Sequence, residues 1–152
     1  MALKLTVRIN GANEVIRALD KLPGDAQDAM QHEAKDIATS LADWIKAAGR
    51  VHSRQAARAA STVKEANQGA WPVIIASNTG RAKGLLFGSE FGMNRKSGWY
   101  AKRRYFGSPA RQFGRHLGGG SYWFFATAEA KQAWVESEWH KAADEVIRRW
   151  SA

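Results

Sequence analysis

The first residues of the chain alternate between apolar and polar side chains. From Leu3 to Ile9 every second residue is apolar, and the residues between them are Lys, Thr and Arg. Successive side chains of a strand point to opposite faces of a sheet, so this period of two predicts a half-buried strand. Asn10-Gly11 interrupts the alternation. A short helix with one apolar face is predicted next, ending at Pro23-Gly24.

Two longer segments have the period of a helix instead. From Asp25 to Ala48 the apolar residues recur at steps of three and four, which predicts an amphipathic helix with Gly49 as its C-terminal stop. The same period returns from Phe125 to Trp150 and predicts a long C-terminal helix. Trp134 lies off the apolar stripe of this second helix, so it is a candidate for contact with a partner.

Three short runs with β-branched or aromatic members fill the middle of the chain. They are Ala60–Glu65, Trp71–Ala76 and Leu85–Phe91, and turn-forming residues separate them. Each run is predicted to be a strand of a small antiparallel sheet. The predicted fold class is therefore α+β: an N-terminal strand and helices plus a long C-terminal helix packed on a small antiparallel sheet, with a long basic loop or arm.

The arm is the segment 92–121, which is rich in Gly, Ser and Arg. Thirty residues without secondary structure are unusual inside a compact domain, so we predict one domain, 1–152, in which 92–121 is an extended basic arm or insertion. Its bases are Arg95, Lys96, Lys102, Arg103, Arg104, Arg111 and Arg115. Aromatic residues lie between them. This mixture suits single-stranded nucleic acid or a protein interface, and the aromatics of a simple loop can also tuck under the sheet.

The charge of the chain is concentrated in its middle. The segment 44–128 has fourteen Lys and Arg but two acids, and both ends are slightly acidic, although the whole chain carries a net charge of +9. Such an excess attracts phosphate groups or acidic protein surfaces.

The chain has no cysteine, which excludes disulfides and thiolate zinc sites. It also has no apolar run of signal-peptide or membrane-spanning length, so no contact with a membrane is predicted.

Candidate catalytic residues are few. The four histidines lack the paired spacing of a helical zinc site. Metal-dependent nucleases need clustered carboxylates, which the basic middle does not offer. His52 and Ser53 are adjacent, but a nucleophile and its base are rarely neighbours in sequence. We therefore predict no enzyme activity, no catalytic residue, no metal site and no cofactor.

Three motifs carry a resemblance to a known family. They are Ile9-Asn10-Gly11 with Val15 and Leu19, the acid-aromatic-glycine end of 85–92, and the aromatic helix start in 122–128. In this order they resemble the head–tail joining proteins of long-tailed bacteriophages, also described as neck or tail-completion proteins. The family's prolines around the last motif are missing here. Its Pro…Thr-Gly signal after the long helix is also absent, and 51–58 stands in that place.

The resemblance implies a structural protein of the virion neck that is made in the host cytoplasm. Copies would form a closed ring of six or twelve subunits with other neck and tail proteins, and the genomic DNA would pass along its axis. The implied interface residues are Phe87, Glu90, Phe91, Trp99, Tyr105, Phe106, Trp123 and Trp134. The bases of the arm would contact DNA or an acidic partner. The alternatives are a nucleic-acid-binding protein that uses the basic aromatic arm, and a tail terminator.

Overall fold

The computed structural model describes residues 2–68, 71–80, 84–92 and 113–152 of the chain. Within these residues there are three strands and six helices. In chain order they are β1 (Ala2–Leu5), α1 (Ala12–Leu19), α2 (Gly24–His52), α3 (Arg54–Ala60), β2 (Lys64–Gln68), β3 (Trp71–Ser77), α4 (Leu86–Phe91), α5 (Phe124–Ala130) and α6 (Gln132–Trp150). The strands form an antiparallel sheet on which α2 packs, so the predicted α+β fold class is confirmed.

The central strand of the sheet is β3, which lies between β1 and β2. Leu3 of β1 faces Ala76 of β3, and Ala66 of β2 faces Val73 of β3. The predicted strands at the N-terminus and at 71–76 are therefore confirmed. The strand predicted at 60–65 overlaps β2 in only two residues, because β2 begins at Lys64 and ends at Gln68.

The pairing of β1 with β3 ends at Leu5, which faces Ile74. If the register continued, Val7 would face Pro72, and proline has no N–H to donate to a neighbouring strand. The exposure of the side chains still alternates up to Asn10, although the strand has ended. The predicted alternation is therefore present, but only its first half belongs to the sheet.

Gly49 is part of α2 and does not end it, because the helix continues to His52. A Cβ atom on Gly49 would lie 2.7 Å from the Cβ of Ala60 and 2.9 Å from the indole of Trp123. Both distances are too short for real contacts, so the glycine lets α3 and Trp123 pack directly on the backbone of α2. The predicted helix stop was therefore wrong, and the glycine serves close packing instead.

Ser53 separates α2 from α3 and begins the second of these helices. Its backbone is extended, and its Oγ accepts a hydrogen bond from the N–H of Ala56 at 3.1 Å. Three buried alanines, Ala56, Ala59 and Ala60, form the inner face of α3. A face made of alanine alone gives little hydrophobic period, and this explains why the sequence did not predict the helix.

The predicted strand at 85–91 is also wrong, because these residues form α4. The N–H of Ser89 donates to the carbonyl of Leu85 at 3.0 Å, and the N–H of Gly92 donates to that of Gly88 at 2.9 Å. Five consecutive residues of α4 are buried, so neither a period of two nor one of 3.6 is visible in the sequence. A short buried run of this kind does not distinguish a strand from a helix.

The predicted C-terminal helix is divided in two at Lys131, between α5 and α6. The N–H of Lys131 lies within hydrogen-bond distance of the carbonyls of both Thr127 and Ala128. The apolar stripe continues across this break, since Ala128 in α5 and Val135 in α6 belong to one core cluster with Leu41 of α2.

No helix in the described ranges is long and apolar enough to span a membrane.

Candidate functional site

The carboxylate of Glu90 caps the first turn of α5. Glu90 lies on α4 and is fully buried. Its Oε2 accepts hydrogen bonds from the N–H groups of Phe124 at 2.7 Å and Trp123 at 3.2 Å, and its Oε1 accepts one from Phe125 at 3.0 Å. The first N–H groups of a helix have no partner within the helix, so an acceptor from another element satisfies them. A negative charge there also interacts favourably with the helix dipole.

Further hydrogen bonds hold the same two segments together. The N–H of Tyr122 donates to the carbonyl of Glu90 at 2.8 Å, and the indole N–H of Trp123 donates to the Oγ of Ser89 at 3.3 Å. Phe91 stacks with Phe125 at a centroid distance of 6.2 Å. We call this region, formed by 89–92 and 122–125, the α4–α5 junction. It joins segments that are more than thirty residues apart in sequence.

The loop before the junction is also bound to α4. The N–H of Leu117 and the Nδ1 of His116 both contact the carbonyl of Phe91, each at 3.1 Å. The hydroxyl of Tyr122 donates to the carbonyl of Arg115 at 2.6 Å. The described end of the predicted arm, 113–121, is therefore attached to the domain. The rest of that prediction, 93–112, lies outside the described residues.

Burial is the main influence on the ionisation of Glu90. It raises the pKa of this carboxyl above its ordinary value of 4.5, against the opposing effect of the backbone N–H groups of Phe125, Phe124 and Trp123 and of the Ser121 side chain. No ion pair among the described residues includes Glu90. Within this part of the chain, its charge is balanced by N–H and O–H dipoles.

This pKa shift predicts a specific pH dependence of stability. Between pH 4.5 and the pKa in the folded state, the folded protein still holds the proton of Glu90, whereas the unfolded chain has lost it. The free energy of unfolding should therefore fall as pH rises through this interval, by up to about 1.4 kcal/mol per pH unit. The measurement is urea unfolding of the wild type and of Glu90→Gln from pH 4 upward, because the difference between them removes the other titrating groups. A difference that instead grows in favour of the wild type would mean that the hydrogen bonds outweigh burial.

The burial of three predicted interface residues corrects their assignment. Glu90 and Trp123 are at most 1% exposed and Phe87 is 8% exposed within one subunit, so they pack inside its core and are not on its surface. Phe91 is partly buried and packs between Phe87 and Phe125. A large aromatic side chain in the sequence suits a core and an interface equally well, so the residue type alone did not separate the two.

Trp134 is also engaged within the subunit. Its ring meets Trp44 of α2 edge-to-face at a centroid distance of 4.5 Å. The Nζ of Lys131 lies 4.2 Å from the centre of the Trp44 ring. The first contact fixes α6 against α2, and the second holds the residue before α6 to the same ring. Trp134 keeps part of its surface exposed.

The remaining predicted site residues divide into two groups. Arg115 is exposed on the surface. The others lie outside the described residues: Trp99, Tyr105 and Phe106 among the interface predictions, and Arg95, Lys96, Lys102, Arg103, Arg104 and Arg111 among the bases. The sequence reasoning missed a further exposed set, Arg50, Arg54 and Arg58, whose regular spacing of four residues could have revealed it.

His52 and Ser53 do not form a nucleophile and its base. The Oγ of Ser53 caps α3, and the imidazole of His52 lies against the ring of Tyr122 at a centroid distance of 5.0 Å. His140 is also accounted for, since its Nε2 contacts the carbonyl of Asn10 at 2.8 Å. Among the residues that the structure describes, no group of three or more His, Asp or Glu side chains is placed to hold a metal ion.

An apolar groove of about 270 Å³ lies where the N-terminal chain leaves the sheet. Val7 and Pro72 line it, together with Ile37 of α2 and Trp139 of α6. Thr6 supplies the polar side chain of a lining that is otherwise apolar. The groove therefore offers apolar contact, without the convergent polar groups that orient a small-molecule substrate.

Comparison of the chain with protein-family models, with curated proteins and with solved structures finds no match.

Proposed function

We propose that this protein is a structural virion protein of a long-tailed bacteriophage, a head–tail connector or tail-completion subunit in the neck. It joins the DNA-filled capsid to the tail as part of a ring of six or twelve copies, together with other neck and tail proteins. In this role the protein has no catalytic residues and needs no cofactor. Closed rings require two different complementary faces on each subunit, which a chain with acidic ends and a basic middle can supply.

The observation that supports this proposal is the α4–α5 junction. Two of the three motifs that carry the family resemblance, 85–92 and 122–128, are far apart in sequence but contact each other through Glu90. Chance matches of two short motifs would have no reason to meet in the fold. Here the acid of the first motif caps the helix that the second motif begins.

The order of the elements also supports the proposal. A strand, a short helix, a long helix, antiparallel strands and a C-terminal helix follow one another as the resemblance implies. The acid-aromatic-glycine motif lies on a helix and not at the end of a strand. This difference changes the role of Glu90 from an interface residue to a residue that positions α5.

The test is electron microscopy of virus particles assembled without this protein. Filled heads beside separate tails are the expected result for a connector or completion subunit, and abnormally long tails would reassign the protein as a tail terminator. Normal intact virions would overturn the proposal. In that case DNA binding by the purified protein becomes the first function to measure.

The oligomeric state offers an independent check. Light scattering on the purified chain, alone and with its neighbouring neck proteins, should give the mass of a ring of six or twelve copies. A protein that stays monomeric under every combination would contradict the ring.

A further inference from the structure

The corner where α2 meets α3 carries exposed arginines at regular intervals. Arg50 lies in the last turn of α2, Arg54 begins α3, and Arg58 follows one helical turn later. All three side chains are exposed. One turn of helix places Arg54 and Arg58 about 5–6 Å apart at Cβ. Four residues of chain span at most about 14 Å, which limits the distance from Arg50 to Arg54.

Tyr122 brings a fourth arginine to the same corner. Its ring lies 5.0 Å from that of His52, the last residue of α2. Its hydroxyl donates to the carbonyl of Arg115 at 2.6 Å. The backbone of Arg115 therefore lies near the end of α2, although Arg115 is more than sixty residues away in sequence from Arg50. We call the four exposed side chains Arg50, Arg54, Arg58 and Arg115 the basic corner.

Among the residues that the structure describes, no acidic side chain forms an ion pair with the basic corner. The segment from Trp44 to Lys64 contains five bases and no acid. The four ion pairs of the described residues use other side chains, so the guanidinium groups of the basic corner are unpaired there. The nearest pair in sequence is Lys46 with Asp43, at 3.6 Å.

Helix stability explains only part of this set. A cation in the last turn of a helix is favourable, which accounts for Arg50 in α2 and Arg58 in α3. A cation at the first position of α3 is unfavourable for the same reason, and Arg54 occupies that position. Arg54 and Arg58 also repel each other across one turn. Arg54 therefore costs the isolated subunit a small amount of stability, which an anionic partner would recover.

We propose that the basic corner binds the phosphate backbone of double-stranded DNA. Guanidinium groups bind phosphate oxygens through paired N–H groups, and all four members of the corner are arginine. Protein interfaces also use arginine, but they use it beside aromatic residues and methionine, in a core that is otherwise depleted in charge. Phosphate contacts retain water and neutralise charge directly, so they fit a set of unpaired arginines better.

This contact positions DNA without reading its sequence, because it does not reach the edges of the bases. It shares Arg115 with the predicted contacts of the arm but does not involve the arm bases at 95–111. It also does not require the protein to form a ring. A failure of the DNA contact would leave the neck proposal standing, and intact virions without the protein would leave the DNA contact standing.

The experiment is fluorescence anisotropy of a labelled duplex of mixed sequence, titrated with the full-length protein at several salt concentrations. The test variant is Arg50→Gln/Arg54→Gln/Arg58→Gln. We expect its affinity to fall about tenfold or more near 100 mM salt. We also expect the slope of log affinity against log salt to decrease by about 3, since each phosphate contact contributes roughly 0.9.

A matched control removes the same charge elsewhere. Lys21→Gln/Lys35→Gln/Arg148→Gln neutralises three exposed bases that lie outside the corner and form no ion pair among the described residues. Its affinity should stay within about threefold of the wild type and its salt slope within about 1.

An equal loss of DNA affinity in both variants would mean that only the net charge matters. An unchanged affinity of the test variant would mean that the basic corner does not bind DNA. Tighter binding to polyglutamate than to DNA would point to an acidic protein partner. Each of these three results would overturn the proposal.

Discussion

Replacing Glu90 with alanine is expected to destabilise the fold by about 3 kcal/mol or more. The substitution leaves the N–H groups of Trp123, Phe124 and Phe125 without their acceptor in a buried site. Each buried donor left unsatisfied costs about 1–3 kcal/mol, and a water molecule that enters the space would recover part of that cost. For a chain of this size the melting temperature should fall by roughly 10 °C. Urea unfolding followed by circular dichroism measures the effect directly.

Two further variants make the result specific. Glu145→Ala removes an exposed helical carboxylate that pairs with Arg149, and it should change stability by less than about 0.5 kcal/mol. Glu90→Gln keeps one acceptor oxygen but places an amide N–H₂ against the remaining N–H, so its stability should lie between those of the wild type and Glu90→Ala. If Glu90→Ala were as stable as Glu145→Ala, the capping role would be refuted.

The same measurement separates two roles of Glu90. A residue that acts only at a subunit interface would leave the stability of the monomer unchanged and would reduce assembly. A residue that caps α5 from inside the core reduces stability first, and assembly falls as a consequence. The complete burial of Glu90 favours the second role.

The sequence predicted the elements in which one face is buried and the other exposed. The alternation that begins at Leu3 and the helical period of Met30, Leu41 and Ile45 both reflect such a division, and both led to correct elements. Where burial is continuous, as in α4, no period exists for the sequence to show. Where the buried face is made of alanine, as in α3, the contrast between the two faces is too weak to detect.

The candidate site was predicted in part. The motif around Glu90 was recognised as distinctive, and an acid in an otherwise apolar run is a sound reason to look for a special role. Its partners were not predictable, because they are backbone N–H groups that any residue except proline would supply at 123–125. Gly49 shows the same limit, since a sequence cannot show that two side chains approach one helix at that point.

Replacing Gly92 with alanine is the second substitution for which we expect a large effect. Gly92 has φ 72° and ψ 168°, a backbone conformation that is essentially restricted to glycine. A Cβ atom there would overlap the carbonyl of Arg115 and would lie 2.8 Å from the carbonyl oxygen of Gly114. Because these are backbone atoms, no side-chain rotation relieves the clash. The expected loss is about 3 kcal/mol or more, which combines local strain with displacement of the loop.

Gly118→Ala is the matched control for this prediction. Gly118 also has a positive φ, 68°, so an alanine there is strained, but nothing lies within 4 Å of its Cβ position. The control should lose about 1 kcal/mol, and the additional loss in Gly92→Ala reflects the close approach of 113–117 to α4 together with the rarer backbone conformation of Gly92. Hydrogen exchange at the amide of Leu117, which donates to the carbonyl of Phe91, reports whether the loop has separated. We expect faster exchange in Gly92→Ala alone. The opposite result would be an equal loss of stability in both variants, with an unchanged exchange rate at Leu117. It would show that the loop does not depend on a glycine at position 92, and that backbone strain alone accounts for the loss.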